Sequence, residues 1–251
     1  MTDIGCSREI NEDSIGYYPE LNPQKGFFAI IADGMGGHQA GEVASQKTVE
    51  IIYKYYSQSK KKTTDALKQA FIQANNAIYQ ISLSDSNLKG MGTTATAIAI
   101  KQGLLYFAHV GDSRLYRLRN NELSLLSKDH TVVNNLLSMG LLTIEQAENH
   151  PDKNLITRAI GTKPSVEIDV FTKPLTIAIG DYYILCSDGL YDLVYDDEIK
   201  KAILASLTLN KAGNDLIELA KKRGGYDNIS IIITSIKPIE KNKKTIPITR
   251  Y

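Results

Sequence analysis

The residues of this chain that could do chemistry are aspartates placed where apolar, strand-like runs begin or end, usually beside glycine. They lie in the segments Ala32-Asp33-Gly34, Val110-Gly111-Asp112-Ser113, Ser187-Asp188-Gly189 and Tyr226-Asp227-Asn228, with Asn11-Glu12-Asp13 near the start of the sequence. Glycine beside a carboxylate lets the backbone come close and leaves a carbonyl as a further oxygen ligand. A single Asp-Gly pair is most often a turn, but its repetition predicts a cluster of carboxylates.

Carboxylates that meet within a few ångströms raise one another's pKa values and need cations to stay ionised together. Oxygen ligands without histidine or cysteine favour Mg²⁺ or Mn²⁺ over Zn²⁺ or Cu²⁺. Two divalent ions held by Asp33, Asp188 and Asp227 would leave a net charge of about +1, which suits a phosphate dianion. The pattern therefore predicts metal-assisted hydrolysis of a phosphoester.

Other hydrolytic chemistries lack their sequence signatures. A cysteine phosphatase needs Cys-x5-Arg, but Glu12 and Asp192 stand where the arginine would follow Cys6 and Cys186. The sequence has no Gly-Lys pair for a Walker A loop, and the segment from Gly111 to Leu115 does not fit Gly-x-Ser-x-Gly. No side-chain nucleophile with a visible partner is left.

The elements that must position these aspartates are short strands and longer helices. Apolar and β-branched runs predict strands at Phe27 to Ala32, Thr94 to Ile100, Leu104 to Val110, Arg114 to Leu118, Tyr182 to Cys186 and Ile229 to Ile236. Helical spacing predicts helices at Ala40 to Tyr56, Thr64 to Leu83, Asp196 to Ser206 and Asn214 to Arg223. Runs of strands separated by paired helices favour antiparallel sheets layered with helices, an α+β fold.

The segment Thr131 to Pro164 breaks the rhythm of strands. It contains two short helical patterns, from Val132 to Leu137 and from Thr143 to Asn149, separated by a turn at Gly140. An insertion of this length is either a lid beside a site or a plain surface excursion.

Composition excludes several classes of protein. The 251 residues are 43% hydrophobic and 23% charged, with 29 Lys and Arg against 28 Asp and Glu. Such a balance gives no bulk attraction to nucleic acid or to an anionic membrane, and no apolar run is long enough for a transmembrane helix. We expect one cytoplasmic, monomeric domain over residues 1–236, followed by a basic, flexible tail over residues 237–251.

The motifs together resemble the PPM family, the type 2C metal-dependent Ser/Thr protein phosphatases. The resemblance runs in order from about Thr2 to Ile236. It rests on Arg8-x-x-Asn11-Glu12-Asp13, Asp33-Gly34-Met35-Gly36-Gly37-His38-x-x-Gly41-Glu42-x-Ala44-Ser45, Gly90-Met91-Gly92-Thr93-Thr94, Val110-Gly111-Asp112-Ser113-Arg114, Ser187-Asp188-Gly189-Leu190 and Asp227-Asn228-Ile229-Ser230. Lys128-Asp129-His130 and Asn154-x-x-x-Arg158-x-x-Gly161 resemble the bacterial branch, whose members are often paired with a membrane Ser/Thr kinase.

The resemblance implies a fold and a set of metal ligands. The fold would be a sandwich of two antiparallel sheets flanked by pairs of helices, with a flap at about residues 131–164 near a metal cleft. The implied ligands of two Mn²⁺ or Mg²⁺ ions are the bridging carboxylate of Asp33, the carbonyl of Gly34, and the carboxylates of Asp188 and Asp227. Asp112 would share a third ion with Asp188, and Asp13 and Glu12 would hold metal-bound waters.

The resemblance also implies a mechanism. A hydroxide between the two ions would attack the phosphorus of phosphoserine or phosphothreonine directly, without a phosphoenzyme. Arg8 would clamp the phosphate, and His38 would protonate the leaving alkoxide, although His38 could instead cap the helix from Ala40. Two alternatives stay open: a phosphoprotein-binding pseudophosphatase, and a hydrolase of small phosphoesters on the same scaffold.

Overall fold

The structure, a computed structural model, describes residues 1–19, 25–36 and 39–238. His38 and the tail from residue 239 onward lie outside these ranges. The strands are β1 (Thr2–Asp3), β2 (Asp13–Tyr18), β3 (Phe27–Met35), β4 (Gly92–Thr93), β5 (Ala95–Lys101), β6 (Leu104–Val110), β7 (Arg114–Arg119), β8 (Glu122–Leu125), β9 (Asp169–Val170), β10 (Leu175–Thr176), β11 (Tyr182–Cys186) and β12 (Ile229–Ser235). The helices are α1 (Ala40–Gln58), α2 (Thr63–Ser84), α3 (Val132–Ser138), α4 (Ile144–Glu148), α5 (Asp188–Tyr191), α6 (Asp196–Ala205) and α7 (Leu209–Lys222).

The described strands form two antiparallel sheets. One sheet has the order β1-β12-β11-β7-β8, and the other has the order β10-β6-β5-β3-β2, with β4 paired to β3 and β9 to β6. The α+β sandwich predicted from the sequence is confirmed, with α1 and α2 on one outer face and α6 and α7 on the other. None of the helices in the described ranges is both long and apolar enough to cross a bilayer.

Strand β3 shows why the sequence folds this way. It lies inside its sheet and is covered on both faces, so its sequence is apolar without alternation. Phe27 and Ile31 point into the layer between the sheets, whereas Phe28 and Ile30 pack against α1 and α2. The apolar run stops at Asp33, where the strand reaches the end of the sandwich.

The predicted elements differ from the observed ones mainly at polar boundaries. Strand β2 was not predicted, because Ser14 and Gly16 interrupt its apolar pattern. Helix α7 begins at Leu209 and not at Asn214, because the Thr208 hydroxyl accepts a hydrogen bond from the N–H of Lys211 and caps the helix.

The two ends of the segment from residue 131 to residue 164 are attached to each other and to the sandwich. Both of its short helices form as predicted, and α4 begins with a capping box between Thr143 and Gln146. An isolated β-bridge joins Thr131 to Ile156, and a second joins Ile160 to Thr93 beside β4. The insertion therefore starts and ends against elements that reach the same end of the sandwich as Asp33.

Candidate metal centre

Asp13 and Asp33 lie opposite each other on the paired strands β2 and β3. The backbone N–H of Asp33 donates to the Thr94 hydroxyl over 3.0 Å, and the N–H of Gly34 donates to the Glu12 carbonyl over 3.1 Å. Burial raises the pKa of Asp33 well above its ordinary value, and the charges of Asp13 and other nearby aspartates raise it further. The first two predicted site positions are thus neighbours by strand register.

The other sheet brings Asp188 and Asp227 to the same place. Asp188 begins α5 directly after β11, and Asp227 precedes β12, the strand paired with β11. Burial, followed by the charges of Asp227 and Asp192, raises the pKa of Asp188 to about 6, while the neighbouring Asp33 side chain opposes that rise. The charge of Asp188 in turn raises the pKa of Asp33, so the two sheets contribute carboxylates to one cluster.

Asp13 is one of the buried carboxylates of the cluster, with 6% of its surface exposed. Burial raises its pKa to about 7, and the neighbouring Ser230 and Ser187 side chains counteract part of the rise. Ser187 donates to Oδ2 of Asp13 over 2.7 Å. One oxygen of Asp13 is therefore held by the protein.

Several carboxylate oxygens of the cluster have no protein partner. Among the buried side-chain atoms of the described residues, Glu12 Oε1, Asp13 Oδ1 and Asp188 Oδ1 make no hydrogen bond. Leaving such atoms unpaired is costly, and a cation with its waters would satisfy them. The donor set thus fits Mg²⁺ or Mn²⁺.

The backbone of Gly34 lies in a space that only glycine fits. A Cβ at Gly34 would come within 2.1 Å of the Gly41 carbonyl oxygen and 2.7 Å of the Glu12 carbonyl oxygen. Helix α1 therefore begins in contact with the end of β3. A hydrogen bond from the Gly41 N–H lowers the pKa of Glu12, although burial, the larger effect, raises it.

Within the described ranges, no group of three or more His, Cys, Asp or Glu side chains is arranged so that it could hold a metal ion. Mg²⁺ and similar hard cations commonly take only one or two carboxylates and fill their remaining positions with water and other oxygen ligands. The site therefore fits cations that rely on carbonyl and water ligands, and it does not fit an all-protein cage.

Asp112 lies in the turn after β6 and is 5% exposed. Burial raises its pKa well above the ordinary value, the charges of Asp188 and Asp129 add to the rise, and Arg114 opposes it. Arg114 in turn donates to both carboxylate oxygens of Asp129. Asp112 thus belongs to the same charged cluster, at the side facing the insertion.

His130 connects the insertion to the turn that carries Asp112. Its Nδ1 accepts a hydrogen bond from the Gly111 N–H over 3.0 Å, and its Nε2 lies 3.2 Å from Asp169 Oδ2. Arg158 donates to the other oxygen of Asp169 over 3.0 Å. The insertion is thus linked to the turn that carries Asp112 through His130, Arg158 and Asp169, none of which is a predicted metal ligand.

Arg8 lies at the edge of the cluster. Its Nη2 is 2.6 Å from Asp227 Oδ2, and its side chain is 47% exposed. The hydrogen bond with Asp227 is the main cause that raises the pKa of Arg8. Arg8 therefore carries its positive charge next to the carboxylates with much of its guanidinium open to solvent.

The structure brings together Arg8, Glu12, Asp13, Asp33, Gly34, Asp112, Asp188 and Asp227, while His38 lies outside the described residues. No role is predicted from the sequence for Ser187 or Asn228, although both stand beside a predicted ligand. Ser187 bonds to Asp13, and Asn228 bonds to the backbone of the segment that carries Arg8. Their polar side chains next to buried aspartates are the signal that could have identified them.

Comparison with protein families gives one clear match. The model of the family "Protein phosphatase 2C" matches residues 4–136. Protein phosphatase PhpP of Streptococcus pneumoniae serotype 2 is 35% identical over 240 residues, which is 94% of this chain and 96% of that protein. Serine/threonine phosphatase stp of Listeria monocytogenes serotype 4b is 37% identical over 241 residues, 92% of each chain.

Solved structures agree with this match. The crystal structure of the Mycobacterium tuberculosis serine/threonine phosphatase PstP/Ppp gives a TM-score of 0.85 at 36% identity, covering 95% of this chain and 97% of that one. A structure of the catalytic domain of the phosphatase PstP in complex with 2 manganese ions gives a TM-score of 0.80 at 35% identity, covering 95% and 96%.

Proposed function

This chain belongs to the protein phosphatase 2C family, and we propose that it hydrolyses phosphoserine and phosphothreonine in proteins with Mn²⁺ or Mg²⁺ as cofactor. The observation that carries the proposal is the set of buried carboxylate oxygens without partners, on Glu12, Asp13 and Asp188. The charges of Asp13 and Asp188 act on Asp33, which therefore has carboxylate neighbours from both sheets. Such a cluster is stable at neutral pH when cations offset its charge.

We assign two cations to Asp33, Asp188, Asp227 and the carbonyl oxygen of Gly34. Asp112 and Asp188 would hold a third cation, and Asp13 and Glu12 would hold the waters around the first two. When bound, Mn²⁺ or Mg²⁺ would supply a nucleophilic water near neutral pH and offset the charge of the phosphoryl oxygens.

The protein's own side chains would bind the phosphate, orient the site and protonate the leaving group. Arg8 would bind two oxygens of the phosphate with its planar guanidinium and stabilise the charge that develops on them. Its exposure beside Asp227 supports this role. Ser187 would keep Asp13 oriented toward the site through the 2.7 Å hydrogen bond. The assignment of His38 as the acid that protonates the leaving alkoxide remains a prediction.

The wider biological setting is also a proposal. Residues 1–236 would form the catalytic domain, with a flap at about residues 131–164 and a basic tail from residue 237. The substrates would be proteins phosphorylated by a cognate Ser/Thr kinase, since the curated relatives named above are bacterial phosphatases. We expect a cytoplasmic protein that is a monomer. Sedimentation of the purified protein can test the oligomeric state.

The test is hydrolysis of a phosphothreonine peptide by the purified chain with Mn²⁺, with EDTA, and in the variant Asp188→Asn. We expect activity that requires Mn²⁺ and is lost in the variant. Activity that persists in EDTA contradicts the metal mechanism. Binding of the peptide without turnover would indicate a pseudophosphatase, and a higher kcat/KM for nucleotides than for peptides would indicate a hydrolase of small phosphoesters.

A further inference from the structure

The side-chain amide of Asn228 fastens the segment from Ile4 to Glu12. Its Nδ2 donates to the carbonyl oxygens of Ile4 and Ile10, each over 3.0 Å. Its Oδ1 accepts from the N–H of Glu12 over 2.8 Å. Asn228 is 4% exposed, so both of its amide hydrogens are used in a place that bulk water hardly reaches.

The fastened segment forms a loop whose two ends are joined through the Asn228 side chain. Residues 4–12 contain neither helix nor strand, and Arg8 lies between the two carbonyls that Asn228 holds. A further backbone hydrogen bond, from Cys6 to the Gly225 carbonyl, is 2.8 Å long. The base of the loop is thus fixed against residues 225–228.

The Arg8 side chain has little packing of its own to direct it. It is 47% exposed, and its one hydrogen bond to a side chain among the described residues is with Asp227. A phosphate would compete for that same guanidinium. Because nearly half of the side chain is open to solvent, the position of its Cα, and hence of the loop, decides where the guanidinium can reach.

We propose that Asn228 is a positioning residue for Arg8: by closing the base of the Ile4–Ile10 loop, it holds the guanidinium where the phosphate of the substrate binds. The inference rests on the role proposed above for Arg8. Asn228 acts through its side chain, whereas Asp227 is held by the backbone N–H of Asn228 over 2.8 Å. A side-chain substitution therefore leaves the contact with Asp227 in place.

The experiment is a double-mutant cycle with Arg8→Ala, Asn228→Ala and both together, measured as kcat/KM on a phosphothreonine peptide with Mn²⁺. We expect Asn228→Ala to lower kcat/KM by about 100-fold, the loss typical of a misplaced binding group. The double variant should be no worse than Arg8→Ala alone, because Asn228 acts through Arg8. Losses that multiply would overturn the proposal.

Two readouts do not depend on turnover. Calorimetric Mn²⁺ affinity should be unchanged in Asn228→Ala, and amide exchange in residues 5–12 should speed up. Weakened Mn²⁺ binding, or unchanged exchange, would refute the proposal. Asn228→Asp keeps the acceptor for Glu12 but loses the donors to Ile4 and Ile10, so it should behave like Asn228→Ala and serves if the alanine variant does not fold.

The matched control is Lys221→Ala. Lys221 also holds the N-terminal segment, through an ion pair with Asp3 of 3.1 Å, but it does not close the loop around Arg8. The kcat/KM of Lys221→Ala should remain at the wild-type value. A loss equal to that of Asn228→Ala would contradict a special role for Asn228. A wild-type chain that hydrolyses no phosphopeptide would refute the proposed function. If the wild type is active but the losses in kcat/KM of the two single variants multiply in the double variant, only this inference is refuted.

Discussion

Ser187 donates a hydrogen bond to Asp13 over 2.7 Å and thereby joins the end of β11 in one sheet to the start of β2 in the other. The same hydroxyl accepts the N–H of Ser230 over 3.0 Å. A single buried side chain thus sets the relative position of the two strand ends that carry the carboxylates.

Replacing Ser187 by alanine should lower the free energy of unfolding by about 1–3 kcal/mol, because a buried carboxylate oxygen and a buried N–H lose their partner. Urea denaturation measures this loss. Ser84→Ala is the control, since the Ser84 hydroxyl donates to the Ile81 carbonyl on an exposed helix end. Equal losses in the two variants would argue against a special role for Ser187.

Asp188→Asn should have opposite effects with and without metal. In EDTA it should stabilise the protein by about 1–3 kcal/mol, since it removes one charge from a repelling cluster. With Mn²⁺ at about 100 times its Kd, the wild type should gain about 2.7 kcal/mol and the variant much less. Thermal unfolding with and without Mn²⁺ measures both effects, and a variant that gains as much as the wild type would exclude Asp188 as a ligand.

Arg8→Ala should lower kcat/KM for a phosphopeptide by about 100-fold, as expected for the loss of a donor to a developing oxyanion. Arg8→Lys should restore little, because an ammonium group cannot form two parallel hydrogen bonds with phosphate. Steady-state kinetics with Mn²⁺ measures both variants. Lys211→Ala, which breaks an exposed pair with Asp215, should be neutral, and full recovery in Arg8→Lys would contradict the bidentate role.

Gly34→Ala should destabilise the protein by about 1–3 kcal/mol through overpacking, because its Cβ would lie 2.1 Å from the Gly41 carbonyl oxygen. Gly213→Ala in α7 is the control. There the new methyl group meets the flexible end of Met1 at 2.6 Å, so stability should stay level or rise by up to about 1 kcal/mol. Chemical denaturation compares the two, and a tolerated Gly34→Ala would contradict the tight contact between β3 and α1.

The buried His109 should make the protein sensitive to acid. Its ring bonds to the Thr96 hydroxyl over 2.8 Å, and burial lowers its pKa from 6.5 to about 3, with the charge of His130 as the second cause. Since the folded pKa lies below the unfolded one, His109 favours the folded state above pH 6.5, and that contribution is lost as the pH falls toward 3.

The measurement is the free energy of unfolding between pH 7 and pH 4 for the wild type and for His109→Gln. The difference between the two should change by up to about 1.4 kcal/mol per pH unit below pH 6.5. Parallel curves for the two proteins would mean that His109 is not buried in its neutral form.

Local sequence patterns were enough to predict most of the fold. Strand β3 and helix α2 were predicted because the positions of their apolar residues match the positions that are buried in the sandwich. These are nearly all positions of β3 and one face of α2. The β2 strand was missed because Gly16 and Ser14 are not apolar, and its place in the sheet depends on pairing with β3. Strand pairing is a contact between distant residues, which a local pattern does not contain.

The sequence by itself determined the chemical types at the site: carboxylates beside glycines, an arginine close to the first of them, and no thiol or imidazole set for another metal. Only the tertiary structure decided that Asp33 and Asp188, from different sheets, lie in one cluster of buried carboxylates, and that Asn228 closes the loop around Arg8. The physical reason is that residue types are encoded locally, whereas burial and orientation arise when the two sheets pack together and exclude water from between their ends.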